Sequence, residues 1–404
     1  MIRKVKWYIW IIVTIVLFIS TVFTVSFIKF PPIFVYRILT RLDSSVDDYK
    51  FFPSRTIRKS DQPYHYSYEL NPEIGNLTIT YRNNKNKEVS MPLMDFVNST
   101  DSSSFVIVKD EKIIYEQYAN GSERDSINTS FSMAKSIVSL LIGKAIEDGY
   151  IKTEFQPITD YIHEFYGLEH ITIKDLLTMR SNLYYEENGF LWFHDGAYTY
   201  WMPDLRKVAL NHKKITDKYK GRMNYNNYHP LLLGIILERS TGMSVSEYFE
   251  QSFWRFIGSE YDASWSLDSN ETQFEKMESG INFRSIDFIK IGSMLINNGY
   301  WNGHQIINDN WIKTSTIVDF PINVDDYVGT FLENWNIGYG YMWYSRPSVF
   351  GGMDYWAWGK YDQILYISPG SNIIIIRTGR NGGDVLDLSK IIEELIIKVN
   401  KFNI

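Results

Sequence analysis

The stretch SFSMAKSIVSLLIG, residues 130–143, predicts a buried helix that contains a lysine, and this combination indicates the fold of the chain. From Ser132 to Ile146 nearly every position is apolar or small, which predicts a helix that is buried on all sides. A lysine, Lys135, lies inside this apolar run, although burying an ammonium group is costly. Gly149 is a candidate stop for the helix. Candidate N-caps precede it at Asn128, Thr129 and Ser130.

The helical repeat explains where the lysine points. Counted from Ser132, positions +3, +4, +7 and +11 lie on one narrow face, and they are Lys135, Ser136, Ser139 and Gly143. A lysine one turn from a serine, with little access to water, can act as the base that activates the hydroxyl. The free N–H groups at the helix start could stabilise an oxyanion beside that hydroxyl.

The Ser-x-x-Lys spacing is a weak signal by itself. The same chain repeats it as SFIK at Ser26–Lys29, where the lysine ends an apolar span and can reach the membrane interface. The pattern at Ser132 therefore needs support from elsewhere in the sequence.

Composition excludes several other classes. The chain has 404 residues and a net charge of −6, without the basic footprint of a nucleic-acid-binding protein. It has no cysteine, which excludes disulfides, thiolate metal sites and cysteine nucleophiles. No HExxH pattern or phosphate-binding loop is present, so we expect neither a metal nor another cofactor. His194 and Asp195 lie in a ring-rich loop, but the chain lacks the Gly-x-Ser-x-Gly turn of a serine–histidine triad.

The N-terminus predicts a membrane anchor. Residues 7–28 carry no charge and would span about 33 Å as a helix, enough to cross a bilayer core. Arg3, Lys4 and Lys6 precede this run, which favours a cytoplasmic tail at residues 1–6 and an extracytoplasmic catalytic part. The expectation is a single-pass protein of the cell membrane. A cleaved signal peptide is the alternative.

The rest of the chain predicts an α+β domain. After a connector at residues 29–65, the domain would occupy residues 66–404, with a mostly helical subdomain at about 150–330. Strand patterns include NLTITYR (76–82) and a hairpin of FVIVKD and KIIYEQY. QILYISP and SNIIIIRTG flank a Pro-Gly turn near the C-terminus, and a last helix follows from about Val385 to Val399. We expect an antiparallel sheet flanked by helices, with the helical section inserted between its strands.

Two further motifs give the Ser132 pattern its context. Tyr225-Asn226-Asn227 precedes an apolar helix that contains Leu232-Leu233-Gly234 and ends near Thr241-Gly242. Ala357-Trp358-Gly359 lies in a late strand. In this order the motifs resemble those of the class C β-lactamase and penicillin-recognising serine hydrolase family. The resemblance covers most of residues 100–400 and implies a β-lactamase/transpeptidase-like fold.

The resemblance implies a role for each residue. Ser132 would attack an ester or amide carbonyl and form an acyl-enzyme, with Lys135 and Tyr225 as the acid–base groups. Which of these two is the base at each step stays open, because they would titrate as a coupled pair. Asn227 would hydrogen-bond Lys135 and the substrate.

The oxyanion hole would use the backbone N–H groups of Ser132 and Lys360, and Gly359 would allow close backbone approach. Trp358 would either wall the pocket or fill a strand face. The ring-rich loop Asn182–Trp201 would either cover the pocket or pack on the surface.

Two departures from the family pattern narrow the function. Ala357 replaces the usual Lys or His that meets a β-lactam carboxylate, as in the branch with esterases and 6-aminohexanoate-dimer hydrolase. Asn182 replaces a usual glycine, which suggests an altered loop before the pocket. We therefore expect a membrane-anchored serine hydrolase acting on a small ester, amide or peptide. The alternative is a non-catalytic or slowly deacylating penicillin-recognising module that binds cell-wall peptides.

Overall fold

Strands from the first third of the chain and from its last part form one main sheet. The computed structural model describes residues 2–318, 337–383 and 385–401. Its strands, in chain order, are β1 Ser54–Ile57, β2 Ser67–Tyr68, β3 Thr78–Arg82, β4 Glu88–Pro92, β5 Ser102–Lys109, β6 Lys112–Tyr118, β7 Asn128–Thr129, β8 Ala263–Ser266, β9 Ile281–Phe283, β10 Tyr300–Trp301, β11 His304–Gln305, β12 Gly338–Tyr339, β13 Tyr344–Pro347, β14 Met353–Gly359, β15 Gln363–Ser368 and β16 Ile373–Gly379.

Helices supply the layers that cover the sheet and the section between its strands. They are α1 Ile2–Lys29, α2 Pro32–Arg41, α3 Leu93–Ser99, α4 Met133–Glu147, α5 Ile173–Leu177, α6 Asp195–Trp201, α7 Leu205–Asn211, α8 Tyr228–Thr241, α9 Val245–Phe249, α10 Ser285–Ile296, α11 Asp309–Thr316 and α12 Leu388–Val399. A π-helical turn, Glu250–Trp254, continues α9.

The main sheet has eight strands in the order β12-β13-β14-β15-β16-β5-β6-β2. Neighbouring strands are antiparallel, except that β2 runs parallel to β6. Every residue of β15 and β16 is buried, so both faces of the sheet are covered. The predicted hairpin is β5 and β6, joined through Asp110 and Glu111 with positive φ angles of 49° and 61°. The predicted α+β arrangement is confirmed.

The predicted strand at residues 76–82 forms as β3, which pairs only with β4 in the described chain and so lies outside the main sheet. The helical section also contains strands that the periodicity missed. β8 and β9 join β1 and β7 in a second, four-stranded antiparallel sheet. These strands have two to four residues, too short for a period to be visible.

Residues 319–330, the last part of the predicted helical subdomain, lie outside the described residues. The predicted domain limits therefore stay predictions.

The N-terminal helix α1 is long and apolar enough, from Trp7 to Lys29, to cross a membrane by length and composition. Phe30 and Pro31 separate it from α2, which packs on the domain through Phe34, Val35 and Ile38. Arg37 of α2 donates to the carbonyl oxygens of Trp201 at 2.9 Å and Asp268 at 2.6 Å. Helix α2 is therefore attached to the domain by both apolar and polar contacts.

Candidate active site

Ser132 lies at the start of α4, in the N-cap position, and its side chain makes no capping hydrogen bond. The expected caps at Asn128, Thr129 and Ser130 were wrong by two or more residues. The preceding residue, Phe131, is buried and has a positive φ of 44°, a strained conformation for a residue with a side chain. The chain therefore makes a sharp turn that leaves the Ser132 hydroxyl free of the helix backbone.

Lys135 is the direct partner of that hydroxyl. Its Nζ donates to Ser132 Oγ at 2.9 Å and to the carbonyl oxygen of Glu278 at 3.0 Å. Only 2% of the lysine is exposed. The second partner is a neutral carbonyl, so the amine is held in place without an opposite charge at that contact. This geometry suits a base that exchanges a proton with Ser132.

Tyr225 lies against the same amine. Its ring centroid is 5.0 Å from Lys135 Nζ, within cation–π range. Its side chain also hydrogen-bonds Tyr344, whose own pKa is raised by burial and by the neighbouring Tyr225 and Tyr339. Both tyrosines line a cavity of about 290 Å³ that reaches Ser132. The sequence-predicted trio Ser132, Lys135 and Tyr225 is thus brought together.

Gly359 ends β14 directly beside the nucleophile segment. A Cβ on this residue would lie 2.4 Å from the carbonyl oxygen of Ser130 and 3.0 Å from the backbone nitrogen of Ser132. Because these are backbone atoms, only glycine fits. The strand end therefore brings the backbone of Gly359 and Lys360 next to the N–H of Ser132. The Lys360 side chain donates to Asp43 Oδ1 at 2.7 Å, and both residues line a cavity that contains Ser132.

Asn227 lines a second cavity at Ser132, and its side chain does not hydrogen-bond Lys135. Its Nδ2 donates to the Tyr185 hydroxyl at 2.7 Å, which in turn donates to Glu187 Oε2 at 2.5 Å. Burial and the adjacent Glu187 raise the pKa of Tyr185, so the phenol stays protonated. Asn227 Oδ1 is buried and has no hydrogen-bond partner in the part of the chain that is described. An amide oxygen in this state is suited to a donor on a bound molecule.

Trp358 lines the smaller cavity with Tyr225 and Tyr344, which supports the pocket-wall alternative for this residue. Its indole N–H donates to Asp362 Oδ1 at 2.9 Å, and its ring contacts that of Tyr344 edge-on. Burial raises the pKa of Asp362. Ala357 is fully buried in β14.

A larger cavity of about 710 Å³ opens on the other side of Ser132. Lys135, Asn227 and Glu278 form its polar end. The segment that begins with α2 and the ring-rich loop also line it, with the apolar side chains Leu39, Leu42, Leu191 and Trp192 and the polar side chains Asp43, Ser44, Glu187 and Asn188. The loop Asn182–Trp201 therefore both lines the pocket and packs on the N-terminal segment.

The remaining residues of the polar helix stripe serve packing. Ser136 Oγ donates to the carbonyl oxygen of Met342 at 2.6 Å. A Cβ on Gly143 would lie 2.3 Å from the Trp311 ring, and the Trp311 indole N–H donates to the Ser139 carbonyl oxygen. Small residues here make room for an indole ring.

His194 and Asp195 do not form a triad with Ser132. His194 Nδ1 accepts from the backbone N–H of Ala197, which caps α6, and Asp195 accepts from the Tyr228 hydroxyl. Asn182 has a positive φ of 62°. Asparagine tolerates this conformation better than most other non-glycine residues.

Sequence reasoning missed Glu278, Tyr185 and Tyr344. Glu278 acts through its backbone carbonyl, which carries no side-chain signal, and it lies 143 residues from Lys135. The two tyrosines are hidden among 29 in the chain. In the described ranges, no cluster of three or more His, Asp or Glu side chains could hold a metal ion.

Known structures share this architecture. A candidate 6-aminohexanoate-dimer hydrolase from Bacillus anthracis has a TM-score of 0.71 and 21% identity, covering 88% of this chain and 92% of its own. A family VIII carboxylesterase has a TM-score of 0.57 and 15% identity, covering 76% and 94%. These likenesses concern the fold, and they define the class as β-lactamase/transpeptidase-like. The fold expected from the sequence is confirmed.

Comparison of the amino-acid sequence with known protein families and curated proteins agrees with this fold. Residues 97–280 match the model of the Beta-lactamase family, so the chain carries a beta-lactamase family domain. The 6-aminohexanoate-dimer hydrolase of Paenarthrobacter ureafaciens is 20% identical over 322 residues, covering 74% of this chain and 80% of that protein.

Proposed function

We propose that this protein is a membrane-anchored serine hydrolase that cleaves an ester or amide through an acyl-enzyme on Ser132. The observation that carries the proposal is the 2.9 Å hydrogen bond between Lys135 Nζ and Ser132 Oγ. The beta-lactamase family domain supports the same reaction class. The apolar length of α1 supports the anchor.

Acylation begins at the Ser132 hydroxyl. Lys135 in its neutral form accepts the hydroxyl proton across the existing contact while Oγ bonds to the substrate carbonyl carbon. The carbonyl oxygen becomes an oxyanion, which the N–H groups of Ser132 and Lys360 stabilise. Collapse of this intermediate breaks the bond to the leaving alcohol or amine. Tyr225, beside the Lys135 amine, passes a proton to the leaving group.

Deacylation reverses these roles. A water molecule attacks the acyl carbon, its proton passes to the Tyr225 and Lys135 pair, and Ser132 regains its proton as the acid leaves. Lys135 acts first in acylation because its amine contacts Ser132 Oγ directly, whereas Tyr225 adjoins the amine through its ring. The unpartnered Asn227 Oδ1 accepts from the substrate, for example from an amide N–H.

The relatives bear on the bond that is cleaved. One is named for a 6-aminohexanoate dimer and another for carboxylic esters. Ala357 offers no charge to a substrate carboxylate, in keeping with an ester or amide rather than a β-lactam. We therefore assign an ester or an amide other than a β-lactam as the bond that is cleaved.

The test uses the full-length protein in phospholipid vesicles with a nitrophenyl acetate substrate and a fluorophosphonate probe. The wild type should hydrolyse the ester, and mass mapping should find the probe on Ser132. Ser132→Ala should abolish both. Ser139→Ala is the matched control, because it lies on the same helix face and its buried hydroxyl has no partner among the described residues. Hydrolysis that survives in Ser132→Ala contradicts the proposal.

The probe also separates the alternative function. A penicillin-recognising module that deacylates slowly would keep a long-lived adduct on Ser132 with little ester turnover. A non-catalytic module would take up no probe. Rapid turnover with labelling at Ser132 supports the hydrolase.

A further inference from the structure

A short apolar segment, residues 188–193 with the sequence NGFLWF, projects from the ring-rich loop. Phe190 and Leu191 are 61% and 48% exposed. The N–H of Phe193 donates to the carbonyl oxygen of Phe190 at 3.0 Å, which closes the segment into a turn. Adjacent large exposed apolar side chains on a turn indicate a surface that contacts something other than water.

This segment runs alongside α1 toward the middle of the apolar span. Lys29 Nζ lies 5.5 Å from the Phe193 ring centroid, and the Trp192 indole N–H donates to Ser26 Oγ at 3.0 Å. Further along, the rings of Phe190 and Phe18 meet edge to face, with 6.3 Å between their centroids.

At 1.5 Å per residue, Phe18 is about 16 Å from Lys29 along the helix, roughly half the hydrocarbon thickness of a bilayer. If α1 crosses a membrane, Phe190 lies within the bilayer.

Helix α2 extends the same apolar surface. Its side chains Ile33, Tyr36 and Leu39 are exposed, and Leu42, just after its end, is 82% exposed. The helix follows α1 after only two residues, Phe30 and Pro31. A short helix with an apolar exposed face at the end of a membrane span is suited to the bilayer interface.

The catalytic cavity opens between these two elements. Leu39 and Leu42 line one side of it, Leu191 and Trp192 line another, and Ser132 and Lys135 lie at its polar end. Leu39, Leu42, Leu191 and Trp192 therefore give the cavity an apolar wall, beside the polar side chains of Asp43, Ser44, Glu187 and Asn188, and the same cavity holds a reactive hydroxyl. Such a wall suits the hydrocarbon chain of a molecule whose ester or amide reaches that hydroxyl.

We propose that residues 188–193 insert into the bilayer beside α1, and that the cavity takes its substrate from the membrane. The substrate is an amphiphile in which an ester or amide carries a long hydrocarbon chain. The carbonyl reaches Ser132, and the chain lies along the apolar wall formed by α2 and the loop. This inference rests on the serine-hydrolase function proposed above.

Insertion can be measured without reference to activity. Because the chain has no cysteine, Phe190→Cys gives a single site for an environment-sensitive nitrobenzoxadiazole label. In phosphatidylcholine vesicles its emission should shift to the blue, and lipids with a doxyl group in the acyl chain should quench it. Phe155→Cys is the matched control, because Phe155 is 59% exposed and its label should stay in water. Equal, weak quenching at both positions overturns the inference.

Substrate class is tested with two nitrophenyl esters, a soluble acetate and a dodecanoate embedded in the vesicles. Phe190 lies outside the cavity lining, so Phe190→Gln should leave acetate hydrolysis within about twofold of wild type. The same variant should lower dodecanoate hydrolysis by about tenfold, because the cavity mouth loses its membrane contact. Phe155→Gln should change neither rate.

The outcomes separate the two proposals. Acetate hydrolysis without dodecanoate hydrolysis, or an equal loss of both in Phe190→Gln, overturns the membrane substrate and leaves the hydrolase standing. If wild type hydrolyses neither ester, both proposals fail.

Discussion

Gly359→Ala probes how closely β14 must approach the nucleophile. The φ of Gly359 is −133°, an extended value open to any residue, so the substitution tests space alone. The new methyl would meet the carbonyl oxygen of Ser130 at 2.4 Å and Phe131 Cβ at 3.1 Å. Ser130 cannot yield easily, because its N–H donates to the Ile281 carbonyl oxygen at 2.8 Å. The strand end and the Ser132 segment must therefore separate.

Both stability and rate should respond. Overpacking of this kind costs about 1–3 kcal/mol of unfolding free energy. A displacement approaching 1 Å costs about 100-fold in rate, and loss of one oxyanion donor costs about 10²–10³-fold in kcat. We expect kcat for nitrophenyl acetate to fall by at least about 100-fold.

Gly143→Ala is the matched control, because its methyl would also overpack, lying 2.3 Å from the Trp311 ring. Gly143 is 11 residues beyond Ser132 on the same helix, about 16 Å away. Thermal unfolding should show comparable destabilisation of the two variants. Initial rates per folded molecule, counted by circular dichroism, should fall only in Gly359→Ala. A Gly359→Ala protein with wild-type kcat would refute the assigned oxyanion geometry.

Two further predictions follow from the structure. Tyr225→Phe keeps the ring beside Lys135 but removes the hydroxyl, so kcat should fall by about 10²–10⁴-fold with little change in unfolding temperature; an unchanged kcat would exclude Tyr225 as a proton carrier. Burial lowers the pKa of His229 from 6.5 to about 3. Between these two pH values the imidazole is neutral in the folded protein, whereas in the unfolded chain it binds a proton. The neutral His229 therefore costs no unfolding free energy above about pH 6.5. As the pH drops from there toward 3, this group lowers the unfolding free energy by at most about 1.4 kcal/mol per pH unit. The free energy of unfolding, measured with urea from pH 7 to 4, should fall more steeply in wild type than in His229→Asn. Parallel pH dependences in the two proteins would contradict this account.

The sequence predicted those helices and strands that are determined by neighbouring residues in the chain. The β5–β6 hairpin rests on two apolar runs around a tight turn, and α4 rests on a continuous apolar run that few other structures could bury. The order of the motifs at Ser132, Tyr225 and Gly359 predicted residues that the structure brings together, although their roles stay predictions.

Features with distant causes could not be predicted. The four-stranded sheet joins strands of two to four residues, and two of its three pairings, β1 with β8 and β7 with β9, join residues more than 100 positions apart. Asn227 was expected to bond Lys135, yet its amide donates to Tyr185 because the ring-rich loop brings that phenol close. One tyrosine among 29 cannot be identified without that fold.

The small sheet that the sequence did not indicate also explains why only one of the two Ser-x-x-Lys patterns forms a site. Strand β9 pairs with β7, two residues before Phe131, and so holds the turn at the nucleophile. The residues just before β9 supply the Glu278 carbonyl that accepts from Lys135 and the Ser279 carbonyl that accepts from Ser130 Oγ. The segment at residues 278–283 therefore positions both the Ser132 hydroxyl and the Lys135 amine. At the other pattern, Ser26 Oγ donates to its own helix at the Val22 carbonyl and accepts from the Trp192 indole. Lys29 lies against the rings of Phe30 and Phe193 and makes no hydrogen bond with Ser26 in the described chain.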